Sequence, residues 1–318
     1  MNQSRRQFVR TLFVASQAAI LTPWLSSRAR ADEAAGGKLN FLLLGDWGRD
    51  GEKDQVRVAT QMDLAAKKLN ANFVISVGDN FYEDGVASVD DPQWQSSFEK
   101  VYAAPSLQVP WHAALGNHDY HGDCDAQIAY SKKSRRWTMP ARYFQRTEKI
   151  DAHNVVDFFF LDTTPMSALD ADETKYGGHL KTQNVLVQLA WFTAALAAST
   201  APWKIVIGHH PIYTGGSHGD TPYLVDNILP LLEKHGVQAY FNGHDHDLQH
   251  LQTSKVNLFC TGAGSKPRVK VDTTPRTKFA VGCSGFITAS LAADKLAVQM
   301  IDDQGKNLYA VTVPRQTA

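Results

Sequence analysis

Five times along this chain a short run ends in a glycine followed by a side chain able to hold a metal ion. The instances are Leu44-Gly45-Asp46, Val77-Gly78-Asp79, Leu115-Gly116-Asn117, Ile207-Gly208-His209 and Asn242-Gly243-His244. Tyr82 and His246 follow closely behind two of them. Glycine lets the backbone turn sharply where a strand ends and leaves room for a ligand to approach. A single Gly-Asp turn is commonplace. Five such strand ends in one chain bring two Asp, one Asn and two His from distant positions to one rim of a sheet.

The elements that must position these residues are visible in the apolar pattern. Phe41 to Leu44, Phe73 to Val77, Val155 to Leu161, Lys204 to Ile207 and Val237 to Phe241 read as buried strands. Val58, Met62, Ala65 and Leu69 recur at helical spacing, as do Val185, Leu189, Phe192 and Leu196. Thr221-Pro222 opens a third helix with Leu224, Ile228 and Leu231 on one face, and Pro230 should bend or interrupt it. Beyond residue 255 strand follows strand, through Ile287 to Leu291, Leu296 to Ile301 and Leu308 to Val313. This order predicts an α/β fold, a layered sandwich in which helices cover mixed sheets.

The chain has 318 residues, 43% of them hydrophobic and 20% charged, enough apolar material for a sizeable core. With no linker or internal repeat, residues 32–318 read as a single domain. Residues 1–31 read as an export signal. Arg5-Arg6 opens an acid-free basic stretch, a short apolar run spans Leu12 to Leu21, and Ala29-Arg30-Ala31 offers a cleavage site. The Arg pair points to the twin-arginine translocase as a partner during export and to a periplasmic or secreted destination. The apolar run is too short for a stable membrane anchor. Removing the segment leaves 27 basic against 32 acidic side chains, a balance of −5, with no electrostatic footprint for nucleic acid. Cys124, Cys260 and Cys283 form no CxxC pair and no disulfide framework, although Cys260 with Cys283 could make one bridge.

The five blocks, written as Gly45-Asp46-Trp47-Gly48, Gly78-Asp79-Asn80-Phe81-Tyr82, Gly116-Asn117-His118-Asp119, Val206-Ile207-Gly208-His209 and Gly243-His244-Asp245-His246, resemble the ordered motifs of the purple acid phosphatases within the calcineurin-like metallophosphoesterases. Gln127 to Lys132, Arg136-Trp137 and Gly262-Ala263-Gly264 resemble the small tartrate-resistant type in particular. The resemblance implies two mixed β-sheets flanked by helices. It implies Asp46, Tyr82 and His246 on one metal, Asn117, His209 and His244 on the other, and Asp79 bridging both. A phenolate ordinarily forms only near pH 10, so a tyrosine ligand suits Fe(III). The second position suits a divalent Fe, Zn or Mn. Such a pair hydrolyses phosphate monoesters through a metal-held hydroxide, at acidic pH and without a nucleophilic side chain. Rival readings on the same residues are a phosphodiesterase, a phosphatase directed at phytate or nucleotides, and a non-catalytic metal or phosphate binder.

His118 and His218 are the candidate proton donors or phosphate contacts, with Asp119 available to orient His118. Asn80 supports the cage or touches phosphate, and the role of His210 is open. His112, His121, His153, His179, His235 and His250 read as surface or packing residues, and Phe158-Phe159-Phe160 as core strand. Lys132, Lys133, Arg135 and Arg136 could attract phosphates but read better as a solvated face. An acidic loop over residues 167–178, with Asp170, Asp172 and Glu173 and a Gly177-Gly178 hinge, is predicted to restrict the site.

Overall fold

The computed structural model describes residues 37–168, 176 and 179–316. The predicted export signal and Asp170, Asp172, Glu173, Gly177 and Gly178 lie outside the described residues. In chain order the elements are β1 (Leu39–Leu44), α1 (Gln55–Leu69), β2 (Phe73–Ser76), β3 (Trp111–Ala113), α2 (Cys124–Tyr130), β4 (Trp137–Thr138), β5 (Phe144–Lys149), β6 (Val155–Phe160) and α3 (Thr164–Ser167). They continue with α4 (Val185–Ala198), β7 (Trp203–Ile207), α5 (Leu229–Lys234), β8 (Ala239–Asn242), β9 (Leu248–Gln252), β10 (Asn257–Thr261), β11 (Thr277–Val281), β12 (Gly285–Leu291), β13 (Lys295–Asp302) and β14 (Asn307–Pro314).

The strands make two mixed seven-stranded sheets. One runs β14-β13-β12-β1-β2-β3-β4, with β1 to β4 mutually parallel. The other runs β11-β9-β10-β8-β7-β6-β5, with β10, β8, β7 and β6 parallel. Alternation explains the layering. Phe41 and Leu43 of β1 face the inter-sheet cluster with Ile75, Phe158 and Phe241, while Leu42 and Leu44 face the layer where α1 contributes Val58, Met62 and Ala66. In β6, Phe158 and Phe160 point between the sheets, and Phe159 meets Phe192 and Leu196 of α4. Strands buried on both faces carry unbroken apolar runs, which is why the sequence revealed them. Each fully buried Leu or Phe stabilises the fold by roughly 2 kcal/mol.

One expectation needs correction, and one open question has an answer. The third helix is wound as a π turn over Leu224–Ile228 before α5 begins, with Pro230 in the first turn of α5, where its missing N–H costs nothing. That winding moves the buried stripe to Leu224, Ile228, Leu229 and Leu232, leaving Leu231 half-buried. The three cysteines are free, so no bridge joins Cys260 to Cys283. Among the described residues, no helix is long and apolar enough to cross a membrane.

Candidate metal centre

Asp46, Asp79 and Asn117 follow the C-terminal ends of parallel β1, β2 and β3, and His209 and His244 follow those of parallel β7 and β8. Three of these residues leave the ordinary backbone regions: Asp46, Asp79 and His244 have φ of 58°, 49° and 71°. A left-handed conformation costs a non-glycine residue about 1 kcal/mol or more, so the surroundings must enforce it. Interloop bonds do so: Asp46 N–H donates to Gly78 O at 3.1 Å, and His244 N–H donates to Asp46 Oδ2 at 3.0 Å. Gly78 has φ 98°, and a Cβ there would lie 2.7 Å from His209 Nδ1; one on Gly116 would lie 2.2 Å from Asp79 Oδ1.

The donor atoms form two nests. In the first, the Tyr82 hydroxyl lies 2.8 Å from Asp46 Oδ1, 2.7 Å from Asp79 Oδ2 and 3.2 Å from His246 Nε2. His246 Nε2 is also 3.3 Å from Asp46 Oδ1. In the second, His209 Nε2 lies 3.4 Å from Asp79 Oδ1, 3.2 Å from Asn117 Oδ1 and 3.3 Å from His244 Nδ1. Asp79 turns one carboxylate oxygen to each nest.

The protons do not suffice for these contacts. His209 Nδ1 meets Val77 O at 3.0 Å and His246 Nδ1 meets Lys266 O at 2.8 Å. A carbonyl only accepts, so both Nδ1 atoms donate and each neutral ring aims a lone pair from Nε2 into the site. One phenol proton then faces three acceptors in the first nest. Adjacent donors about 2.1 Å from a shared cation would stand roughly 3 Å apart, as these do. Asp46, Asp79 and His209 are buried, with ligand atoms mutually within 4.8 Å. The residues therefore fit two cations.

Electrostatics agree. Burial opposes charge on His209, yet Asp79 and Asp46 push its imidazole up to about 9: without a cation, a proton is drawn into the cation's place. Burial, then Asp46 and Asp79, hold the Tyr82 phenol well above its usual range, so only a strongly charged ion replacing the proton makes it a ligand. Burial and the neighbouring His210 and His209 keep His244 well below the ordinary imidazole range, which preserves its lone pair.

A cleft of about 190 Å³ opens on the nests, and His118 and His218 both line it. Asp119 does not orient His118. It is fully buried and accepts from Asn80 N at 3.0 Å, Gly116 N at 2.8 Å and Gln127 Nε2 at 2.7 Å, tying the Asp79 loop to the Asn117 loop. His118 Nδ1 instead meets Glu83 O at 2.5 Å. The carboxylate that orients a histidine is Asp245, whose Oδ1 lies 3.0 Å from His218 Nδ1. Although burial opposes it, the His218 and Thr214 hydrogen bonds hold Asp245 below the usual carboxylate range.

Asn80 is buried behind the cage, its Nδ2 2.8 Å from Ala114 O and 3.0 Å from Gln127 Oε1, so it supports and does not face the cleft. His210 is buried between Thr163 Oγ1 at 3.0 Å and Ser167 Oγ at 2.9 Å, its ring 4.4 Å from that of His244. Lys132, Lys133, Arg135 and Arg136 do not line the cleft. Arg136 is no part of a solvated face: it is buried and paired with Glu99. Sequence reasoning missed Arg49, whose guanidinium lies 3.7 Å over the Tyr82 ring while pairing with Glu83. It also missed the cleft-lining Lys266 and Arg268. The signal was position, Arg49 directly after Gly48 and Lys266 and Arg268 two and four residues after Gly264, which the ligand motifs overshadowed.

Two sheets whose parallel strands end in paired nests of O and N donors define the class. Residues 39–248 match the calcineurin-like phosphoesterase family, to which the chain belongs. Within it, the chain is similar to purple acid phosphatase 7 of Arabidopsis thaliana, with 38% identity covering 89% of this chain and 88% of that one. It is similar also to tartrate-resistant acid phosphatase type 5 of Sus scrofa, 35% identical over 96% of each chain. Among solved structures, GAP50, described as the anchor in the inner membrane complex of Plasmodium, superposes with a TM-score of 0.78 at 24% identity, covering 88% of this chain and 90% of that one. A purple acid phosphatase from yellow lupin seeds gives 0.65 at 15%, covering 88% and 54%. The two structural matches establish the fold alone. Family membership implies a binuclear metal centre.

Proposed function

We propose that the chain is an acid phosphatase that hydrolyses small phosphate monoesters. In this reading Fe(III) is held by Asp46, Asp79, Tyr82 and His246, and a divalent Fe, Zn or Mn by Asp79, Asn117, His209 and His244. The observation that carries the reading is the convergence, in two adjoining nests, of carboxylate, phenol, carboxamide and imidazole donors within 2.7–3.4 Å of one another, with too few protons for the contacts of the first. The names of the relatives, acid phosphatases at 35–38% identity, favour phosphomonoesters.

When bound, two such cations supply Lewis acidity toward phosphate oxygens and toward water. The chain's own residues do the rest. His218, held through Nδ1 by Asp245, keeps Nε2 for the ester and delivers a proton to the leaving oxygen. His118, donating Nδ1–H to Glu83 O and lying 4.4 Å from the Tyr82 ring, donates Nε2–H to a phosphate oxygen when the ring carries both protons. Residues 1–31 act as a twin-arginine signal, delivering the 32–318 domain to the periplasm or medium without a membrane anchor and away from nucleic acid.

The test is metal analysis of purified protein alongside turnover of p-nitrophenyl phosphate and its bis ester between pH 4 and 8. Two metal ions per chain with preference for the monoester supports the reading. Full metal with no hydrolysis of either ester refutes it. Replacing Arg5 and Arg6 with Lys should retain unprocessed chain inside the cell, and normal export of that variant would refute the twin-arginine assignment.

A further inference from the structure

We propose that Lys266 and Arg268 form a subsite for a second phosphate group on the substrate, so that the preferred esters are bisphosphates. The proposal rests on the phosphatase reading and narrows its substrate class.

Both residues line the cleft beside His218 and His246, and both are exposed. Their backbone is fixed to the centre at two points. Arg268 N–H donates to His246 O at 2.7 Å, and His246 Nδ1–H donates to Lys266 O at 2.8 Å. Pro267 stands between these bonds and stiffens the segment. A floating surface lysine would only raise the local potential. Here two cations ride on a segment latched to a ligand, at a set displacement from the scissile position. The Arg268 guanidinium is steadied by Ser217 Oγ, a hydroxyl that leaves its charge unneutralised. No acid within ion-pair distance of Lys266 or Arg268 is present among the described residues.

The rest of the cleft wall sharpens the contrast. Glu83 is engaged by Arg49, and Asp79 belongs to the nests. Among the described residues the two cations of the 266–268 segment stand over the cleft without an ion-pair partner, Glu83 acting on Lys266 only from beyond contact distance, on a domain whose overall balance without residues 1–31 is −5. A planar guanidinium beside a mobile ammonium is the pairing that grips a phosphate dianion. The scissile phosphate sits at the nests, and a second phosphate on the leaving portion reaches the 266–268 segment.

The experiment compares wild type with the Lys266→Ala/Arg268→Ala double variant, both loaded with metal. Substrates are glucose 1,6-bisphosphate, glucose 6-phosphate and p-nitrophenyl phosphate. Wild type should favour the bisphosphate in kcat/KM by on the order of 10-fold, the double variant should bring that ratio near one, and turnover of p-nitrophenyl phosphate should stay within about twofold. Raising salt should erode the wild-type preference. A second readout needs no hydrolysis: calorimetric affinity for methylenediphosphonate should fall on the order of 10-fold in the double variant while that for orthophosphate holds. An unchanged bisphosphate ratio together with unchanged diphosphonate affinity overturns the proposal. A wild type that hydrolyses none of the three esters but shows the diphosphonate difference overturns the phosphatase reading and leaves the anion subsite supported.

Discussion

His112 in β3 is buried to 1% exposure, and neither ring nitrogen has a hydrogen-bond partner. Its ring lies 5.3 Å from that of Phe73 and 6.4 Å from that of Phe160, with the Arg146 guanidinium the charged group acting on it. Burial first, and Arg146 second, push the imidazole from 6.5 down to about 3. The sign follows from linkage. The folded state holds the ring neutral while the unfolded state protonates it near 6.5, so stability is intact above that pH and declines as pH falls toward 3. At pH 5 the loss from this residue is about 2 kcal/mol, and at pH 4 about 3 kcal/mol. For a domain of this size the pH 5 loss corresponds to a Tm roughly 5 °C lower. His112→Leu removes the titrating ring from an apolar site of similar volume. Differential scanning calorimetry at pH 7.5 and pH 5, in metal-replete protein and in chelator, should show the gap in Tm between the two pH values shrinking by about 5 °C in the variant. An undiminished gap would mean that the ring is charged or partnered in the folded state, and the argument from burial would be wrong.

Three further outcomes follow from the centre itself. Iron-loaded wild type under oxidising conditions should show a visible phenolate charge-transfer band that Tyr82→Phe abolishes, and a band that persists in the variant would remove Tyr82 from the ligand set. Asp245→Asn should lower kcat roughly 10-fold with metal content unchanged, because its side chain bonds His218 and Thr214 and no nest donor, although its backbone joins His244 to His246; loss of metal instead would assign Asp245 to the cage. Asp119→Ala strands the Gly116 and Asn80 amides that it accepts from, so Tm should drop, by about 2–4 kcal/mol of stability, and metal affinity should fall 10–100-fold. Retained stability with full metal would show that the two loops hold each other without it.

Four of the five strands that carry the nests were legible because burial on both faces leaves unbroken apolar runs, as in Phe41–Leu44 and Phe73–Ile75, while the three-residue β3 was too short to show one. Of the edge strands, β5 and β11 were not legible. Phe144–Lys149 has Phe144 as its one buried residue and polar residues after it, and Thr277–Val281 has no buried residue. The glycine-ligand pairs marked the donor-bearing positions, since both chemistry and backbone freedom are written in residue types there. What stands behind them was illegible for a physical reason. Asp119 is next to His118 in sequence, but a 3₁₀ turn at Asp119–His121 sends its carboxylate back under the loops, while Asp245 reaches His218 across 27 residues. Sequence adjacency says little about the direction of a side chain at a tight turn. The π winding at Leu224–Ile228 was hidden likewise, since one residue per turn of slippage leaves no compositional mark.

The donors of the centre are spread from Asp46 to His246, and neither nest can be completed before both sheets are in place. The first 120 residues supply carboxylates, a phenol and a carboxamide but none of the three inward-facing imidazoles. A chain emerging from the ribosome thus has nothing but a loose acidic hook to offer an ion until its last third is synthesised. In the proposed reading metal capture would await both sheets, and a chain cut before His209 would lack every imidazole of the two nests. Two cations held by these residues would close some 200 residues of polypeptide into one loop and would act as a clasp on the finished fold.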